Sequence, residues 1–152
     1  ARWLTSEEVI FDRWSERDST GSMGAAVILM DAMGLLRSCY QIAEMAIVAG
    51  SFTEKVGGHN ILEPADYGIP VLFGPYMHSQ PELERLMLDS GAGKQVSKEQ
   101  LGTVLKQLLA DATECKAMGA KGMKLAQENR GATERTWKEL TRCANFPAEN
   151  CT

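Results

Sequence analysis

Histidine is scarce in this chain of 152 residues, which has only His59 and His78. Its four cysteines, Cys39, Cys115, Cys143 and Cys151, form no CxxC pair and have no histidine at ligand spacing. That pattern argues against a zinc site, and neither a metal nor a cofactor is expected. Reduced thiols are the default, with a Cys143–Cys151 bridge open to air oxidation. No stretch approaches the ~18 consecutive apolar residues of a membrane span, and no signal peptide is visible. Basic residues are not in excess either: 16 Lys and Arg face 20 Asp and Glu, for a net charge of −4. A sequence-independent nucleic-acid binder would show a basic face, so that class is excluded. What is present is ordinary for a soluble globular chain: 44% hydrophobic and 24% charged residues. The length suits one domain, residues 1–152, with a real core.

Along the chain, apolar runs alternate with helical patterns. VIFDRW (Val9–Trp14) reads as a strand, and ERDSTGSMG (Glu16–Gly24) as a surface loop. AAVILMD (Ala25–Asp31) is a continuous apolar run, expected to be a strand covered on both faces, with Asp31 available to cap the next helix. That helix is expected from about Met33 to Ala43, with Leu36, Tyr40 and Ala43 on its core face. Gly34 in its first turn weakens a helix and suggests the close approach of another group, such as a planar base. Further on, PELERLMLDSG (Pro81–Gly91) starts on Pro and stops at Gly as a helix does, and KQV (Lys94–Val96) is a short strand. Ser97 to Leu109 reads as an N-capped amphipathic helix. Asp111 to Asn129 is a second helix, loosened by Gly119 and Gly122, and Ala132 to Ala144 a last one before a frayed tail. The pattern predicts an α/β fold: a Rossmann-like, doubly wound parallel sheet of about five strands with extra C-terminal helices.

The centre of this organisation is Gly50 to Pro75, GSFTEKVGGHNILEPADYGIPVLFGP. A strand ending at Gly50 feeds the turn Gly57-Gly58-His59-Asn60, then a short helix carrying Glu63, then the strand VLFG (Val71–Gly74), a βαβ unit. Paired glycines ahead of a helix leave N–H groups open to an anion, with nothing bulky in the way. Glu63, about one turn further on, stands where a ribose would present its hydroxyls. The stretch therefore reads as a clamp for a nucleotide phosphate and ribose. A purely structural account competes with it on equal terms: Asn60 and Glu63 also fit a capping box, with Pro64 in the first helical turn. The loop YMHSQ (Tyr76–Gln80) adds His78 as a candidate, because open α/β sheets bind ligands at strand carboxyl ends. The candidate elements, Met33-Gly34, Ser51–Asn60 and Tyr76–His78, all follow strands, so they are expected on one edge of the sheet.

These motifs resemble a known family. D-x-M-G-x-L-x-x-x-Y (Asp31, Met33, Gly34, Leu36, Tyr40), G-[ST]-F at Gly50, GGHN-x-L-E-P at Gly57, P-V-L-x-G-P at Pro70 and the late Asn129-x-Gly131-Ala132 are similar to the C-terminal half of the 3-deoxy-D-manno-octulosonic acid (Kdo) transferases of lipopolysaccharide synthesis. The resemblance covers roughly Phe11 to Trp137. It implies half of a GT-B fold: the domain that binds the donor CMP-Kdo, facing an N-terminal domain that holds the lipid A precursor. It also implies an inverting transfer of Kdo at the cytoplasmic face of the bacterial inner membrane. The family's general base is a glutamate of the N-terminal domain, so no catalytic residue is expected in this chain, which by itself would be soluble and inactive. Carried over by position, Gly57, Gly58, His59 and Asn60 would hold the CMP phosphate, Glu63 the ribose hydroxyls, and Met33 and Gly34 the cytosine. Lys55 would add a cation for the phosphate, and Ser51 and His78 complete the donor-binding set. Two departures stand out: Ala32 where many members carry Thr, and Ser79-Gln80 after His78 where the family usually has Asn-Phe. The competing readings are the donor domain of another GT-B enzyme using a UDP-sugar, and a non-catalytic nucleotide-binding module.

Overall fold

The computed structural model of the chain describes residues 1–17 and 24–144. The loop expected over Glu16–Gly24 and the polar tail fall largely or wholly outside them, as does the Cys143–Cys151 bridge. Two compact units divide the chain, Ala1–Ala43 and Glu44–Thr152.

The first unit opens with helix α1 (Arg2–Ser6), followed by strand β1 (Phe11–Arg13), a 3-10 turn (Trp14–Glu16), strand β2 (Val27–Leu29) and helix α2 (Leu36–Tyr40). β1 and β2 pair in parallel, with Phe11 opposite Val27 and Arg13 opposite Leu29. Asp31 does not cap a helix. Its carboxylate accepts from the N–H and hydroxyl of Ser15 at 2.9 and 2.8 Å, fastening the 3-10 turn to the end of β2. Those two Ser15 bonds, the hydroxyl first, hold the Asp31 pKa below its ordinary value. α2 is shorter than expected, because residues 31–35 turn before it starts. Gly34 lies in that turn at φ +81° rather than in the helix, which is why glycine stands there. β2 is not covered on both faces: with β1 as its partner in a two-stranded sheet, Val27 and Ile28 are exposed.

The second unit holds strands β3 (Ala46–Val48), β4 (Val71–Phe73) and β5 (Gly93–Gln95) in a parallel sheet of order β3-β4-β5. The five strands foreseen thus exist, divided two and three between separate ladders. Short helix α3 (Leu62–Ala65) precedes β4, and α4 (Pro81–Ser90) precedes β5. Three helices follow: α5 (Lys98–Ala110), α6 (Ala112–Asn129) and α7 (Ala132–Ala144).

β4 is central, and Val71, Leu72 and Phe73 are all fully buried. Side chains alternate across a strand, so the three divide between two cores. Val71 and Phe73 join Ile61, Ala65, Met77, Met87 and Leu125 on one face, while Leu72 meets Leu108 and Met118 on the other. Each such large side chain contributes about 1.5–3 kcal/mol by leaving water. Local signals frame the helices. Ser97 and Gln100 form a reciprocal capping box at α5, Asp111 accepts from Thr113 and Glu114 N–H at α6, and Gly91 ends α4 in the left-handed conformation.

The glycines of α6 do not loosen it. A Cβ on Gly119 would collide with the Gly68 carbonyl, and one on Gly122 would press on Ala65 at 3.1 Å. They let α6 lie against α3 and the turn after it. An Arg130–Asp66 ion pair, 2.6 Å at its shorter contact, closes the same seam.

Candidate functional site

The carboxyl ends of β3 and β4 position the central loop. After β3 the chain makes a 3-10 turn, Ala49–Phe52, in which Ser51 is fully buried. Its hydroxyl donates to the Val48 carbonyl at 2.5 Å and accepts from Gly74 N–H at 2.6 Å. The Ser51 carbonyl takes Tyr76 N–H at 2.9 Å. Ser51, grouped above with the ligand residues, is thus a strut joining the ends of β3 and β4, its hydroxyl already engaged within the protein.

Beyond Phe52, the Thr53 carbonyl accepts from Val56 and Gly57 N–H at 3.2 and 3.1 Å, closing a tight turn with exposed Lys55 at its tip. Among the described residues no carboxylate lies within ion-pair distance of Lys55. Gly57 and Gly58 follow at φ +71° and +99°, conformations that favour glycine. The sequence suggested that their bare faces leave room for an anion. The structure fills that room from within: the His78 imidazole lies over Gly57, and Met77 Sδ would sit 2.6 Å from a Cβ on Gly58. His59 in turn packs on Gly50, which likewise has no space for a side chain. The glycine pair is therefore demanded by the chain's own crossing of Met77-His78 over the loop.

What the loop offers outward lies one residue further on. His59 and Asn60 are exposed, and among the described residues no acceptor meets their backbone N–H groups. Asn60 does not form the capping box with Glu63. Its Oδ1 accepts from Leu62 N–H at 3.0 Å, an Asx turn, and α3 has no side-chain cap. α3 has four residues, so it sums few peptide dipoles, and the anion-binding capacity rests on the local donors instead. Glu63 stands half-buried in its first turn.

The loop is held from the β4 side as well. Ser79 donates its N–H and its hydroxyl to the Gly57 carbonyl, at 3.1 and 2.6 Å. Ser79 and Met77 were not picked out from sequence as site residues. The only hint was Ser79's departure from the family pattern. The adjacent Gln80 starts α4 with a buried Oε1 that has no partner among the described residues. Met33 and Gly34 belong to the first unit: Met33 is 98% exposed, and the space beside Gly34 is open. Among the described residues no group of His, Cys, Asp and Glu is arranged to hold a metal.

No family model matches the chain. A 3-deoxy-D-manno-octulosonic acid transferase of Chlamydophila psittaci is 35% identical over 139 residues, 91% of this chain and 32% of the relative. The transferase of that name from Aquifex aeolicus is 44% identical over 91 residues, 59% of this chain and 26% of the relative. The chain is a homologue of the Kdo transferases. Among solved structures it is similar to the C-terminal CMP-Kdo binding domain of WaaA from Acinetobacter baumannii, with a TM-score of 0.74 and 26% identity over 83% of this chain and 65% of that one. Its α/β architecture with parallel sheets is that of a GT-B half. This Kdo transferase homologue spans about a third of the length of the curated relatives it matches.

Proposed function

We propose that this chain is the donor-binding domain of an inverting glycosyltransferase that moves Kdo from CMP-Kdo to the lipid A precursor in lipopolysaccharide biosynthesis. The observation that carries the reading is the Gly57–Asn60 loop after β3, where His59 and Asn60 are exposed with N–H groups that meet no acceptor among the described residues, and exposed Lys55 lies on the turn leading into it. Gly57 and Gly58 shape the loop, His78 covers it, and His59 and Asn60 supply the donors. CMP is the leaving group, so negative charge grows on its phosphate as the glycosidic bond breaks. Fixed donors stabilise that charge without reorganising at the moment of reaction. Glu63 accepts from the ribose hydroxyls. The acceptor and the general base are assigned to a separate N-terminal domain of the full enzyme, as the family resemblance implies. The working location is the cytoplasmic face of the bacterial inner membrane. Among the described residues no helix is long and apolar enough to cross a membrane.

An NMR titration of the chain with CMP, with UMP as control, tests this. Shifts at Gly57–Asn60 and Glu63 with CMP, weaker with UMP, are expected. Equal shifts with both would favour a uridine nucleotide donor, and none at millimolar CMP would overturn the reading.

A further inference from the structure

Next to the glycine loop, the second unit contains a cavity of about 290 Å³ that none of the nucleotide assignments uses. Its walls come from segments following β3 (Thr53, Glu54), β4 (Tyr76) and β5 (Lys98, Glu99), so it opens on the same edge of the sheet. It also shares its wall with the loop. The Thr53 carbonyl closes the turn into Gly57, and the Tyr76 carbonyl lies 3.2 Å from where a Gly58 Cβ would stand. The cavity and the glycine loop are thus neighbours on that edge.

The volume sits at the low end of the roughly 300–1,000 Å³ typical of small-molecule sites, enough for a single sugar and too small for a sugar nucleotide. Its chemistry is mixed. Lys98 is exposed, and among the described residues it has no carboxylate within ion-pair distance. Glu99 accepts from the Ser97 hydroxyl at 2.6 Å, a bond that fixes its carboxylate in place and keeps it ionised. Glu54 adds a second acceptor and Thr53 a hydroxyl, while Phe52, 8% exposed, makes an apolar wall. Two carboxylates repel a phosphate, whereas they accept readily from hydroxyls. One ammonium among them suits a ligand with a single negative charge and many O–H donors.

We propose that this cavity holds the sugar-acid portion of the donor, with Lys98 paired to its carboxylate and Glu99 accepting from its hydroxyls. The inference rests on the donor-binding reading above and adds a sugar pocket to its nucleotide site. It makes Lys98 a specificity residue: a neutral hexose would leave the ammonium without a counter-charge.

Calorimetric titration of the chain with CMP and with CMP-Kdo tests it, in the wild type, Lys98→Ala, Glu99→Gln and, as a charge control on the same helix, Lys106→Ala. The wild type is expected to bind CMP-Kdo more tightly than CMP. Lys98→Ala should weaken CMP-Kdo about tenfold, as loss of a charge-assisted bond does, and leave CMP nearly unchanged. Glu99→Gln, which keeps an acceptor for Ser97, should act in the same direction, and Lys106→Ala should do nothing. Equal affinity for the two ligands, or Lys98→Ala affecting both alike or neither, overturns the sugar pocket while CMP binding stands. If the wild type binds neither ligand, the donor-binding reading fails and the pocket assignment fails with it.

Discussion

The hydroxyl of Ser79 donates to the carbonyl of Gly57 at 2.6 Å, across 22 residues of sequence. With the Ser79 N–H on the same oxygen, it ties the start of the loop before α4 to the left-handed turn that presents His59 and Asn60. The turn is thereby set in place before any ligand arrives, which lowers the ordering cost of binding.

Ser79→Ala removes the shorter of the two bonds. A loss of about 1 kcal/mol in folding stability is expected, as for a partly buried hydrogen bond. CMP affinity should fall with it. Denaturant unfolding and a CMP titration read the two effects, and unchanged affinity would mean the loop needs no such anchor.

Gly57→Ala places a side chain at positive φ and against the His78 ring. It should cost about 1–3 kcal/mol, the usual strain of a non-glycine residue held left-handed. His78→Ala in the same chain should recover only the part due to collision, since the backbone strain persists. Full recovery would show that φ is not the constraint.

Two helical glycines should respond in opposite directions. Gly102→Ala in α5 meets nothing within 4 Å, so it should gain roughly 0.5–1 kcal/mol from helix propensity. Gly119→Ala in α6 gains the same propensity but forces α6 away from the Gly68 carbonyl, and overpacking of this kind costs about 1–3 kcal/mol. Thermal unfolding of the pair separates the effects. A stabilised Gly119→Ala would contradict the close packing of α6 on α3.

Glu63→Gln should weaken CMP by about 1–3 kcal/mol if its carboxylate accepts from the ribose. Denaturant unfolding of the same variant reads any contribution of Glu63 to folding separately. A loss of stability with CMP affinity intact would return Glu63 to a structural role.

Asp31 gives a pH dependence. Its folded pKa is depressed by the Ser15 bonds, so its contribution is present above the ordinary aspartate value and is lost as pH falls through the lower folded value. The Ser15 amide resonance should titrate with a midpoint below about 4, and Asp31→Asn should abolish the transition. A midpoint at or above that value would disprove the arrangement.

Much of the fold was legible because its determinants are local. The stop at Gly91, the Ser97 cap and the apolar runs of β3 and β4 each depend on residues within a turn or a strand of one another. The family motifs were legible for the same reason, since Gly57-Gly58-His59-Asn60 is contiguous. Errors arose where a residue's partner is distant in sequence. Asp31 is available in sequence to cap the next helix and instead holds Ser15. Ser51 stands next to the glycine turn in sequence, while its hydroxyl reaches Gly74 on the far side of the loop. Gly119 and Gly122 were expected to loosen a helix and instead admit α3. The alternation of strands and helices, the Ser97 cap and the glycine turn follow from the sequence alone, all consequences of backbone preference and periodicity. Only the tertiary structure decided that His78 and Met77 fill the glycines' bare faces, and that Lys98 and Glu99 share a cavity with Thr53 and Tyr76. Those neighbours meet through parallel strands whose carboxyl ends converge in space, and no local pattern records that convergence.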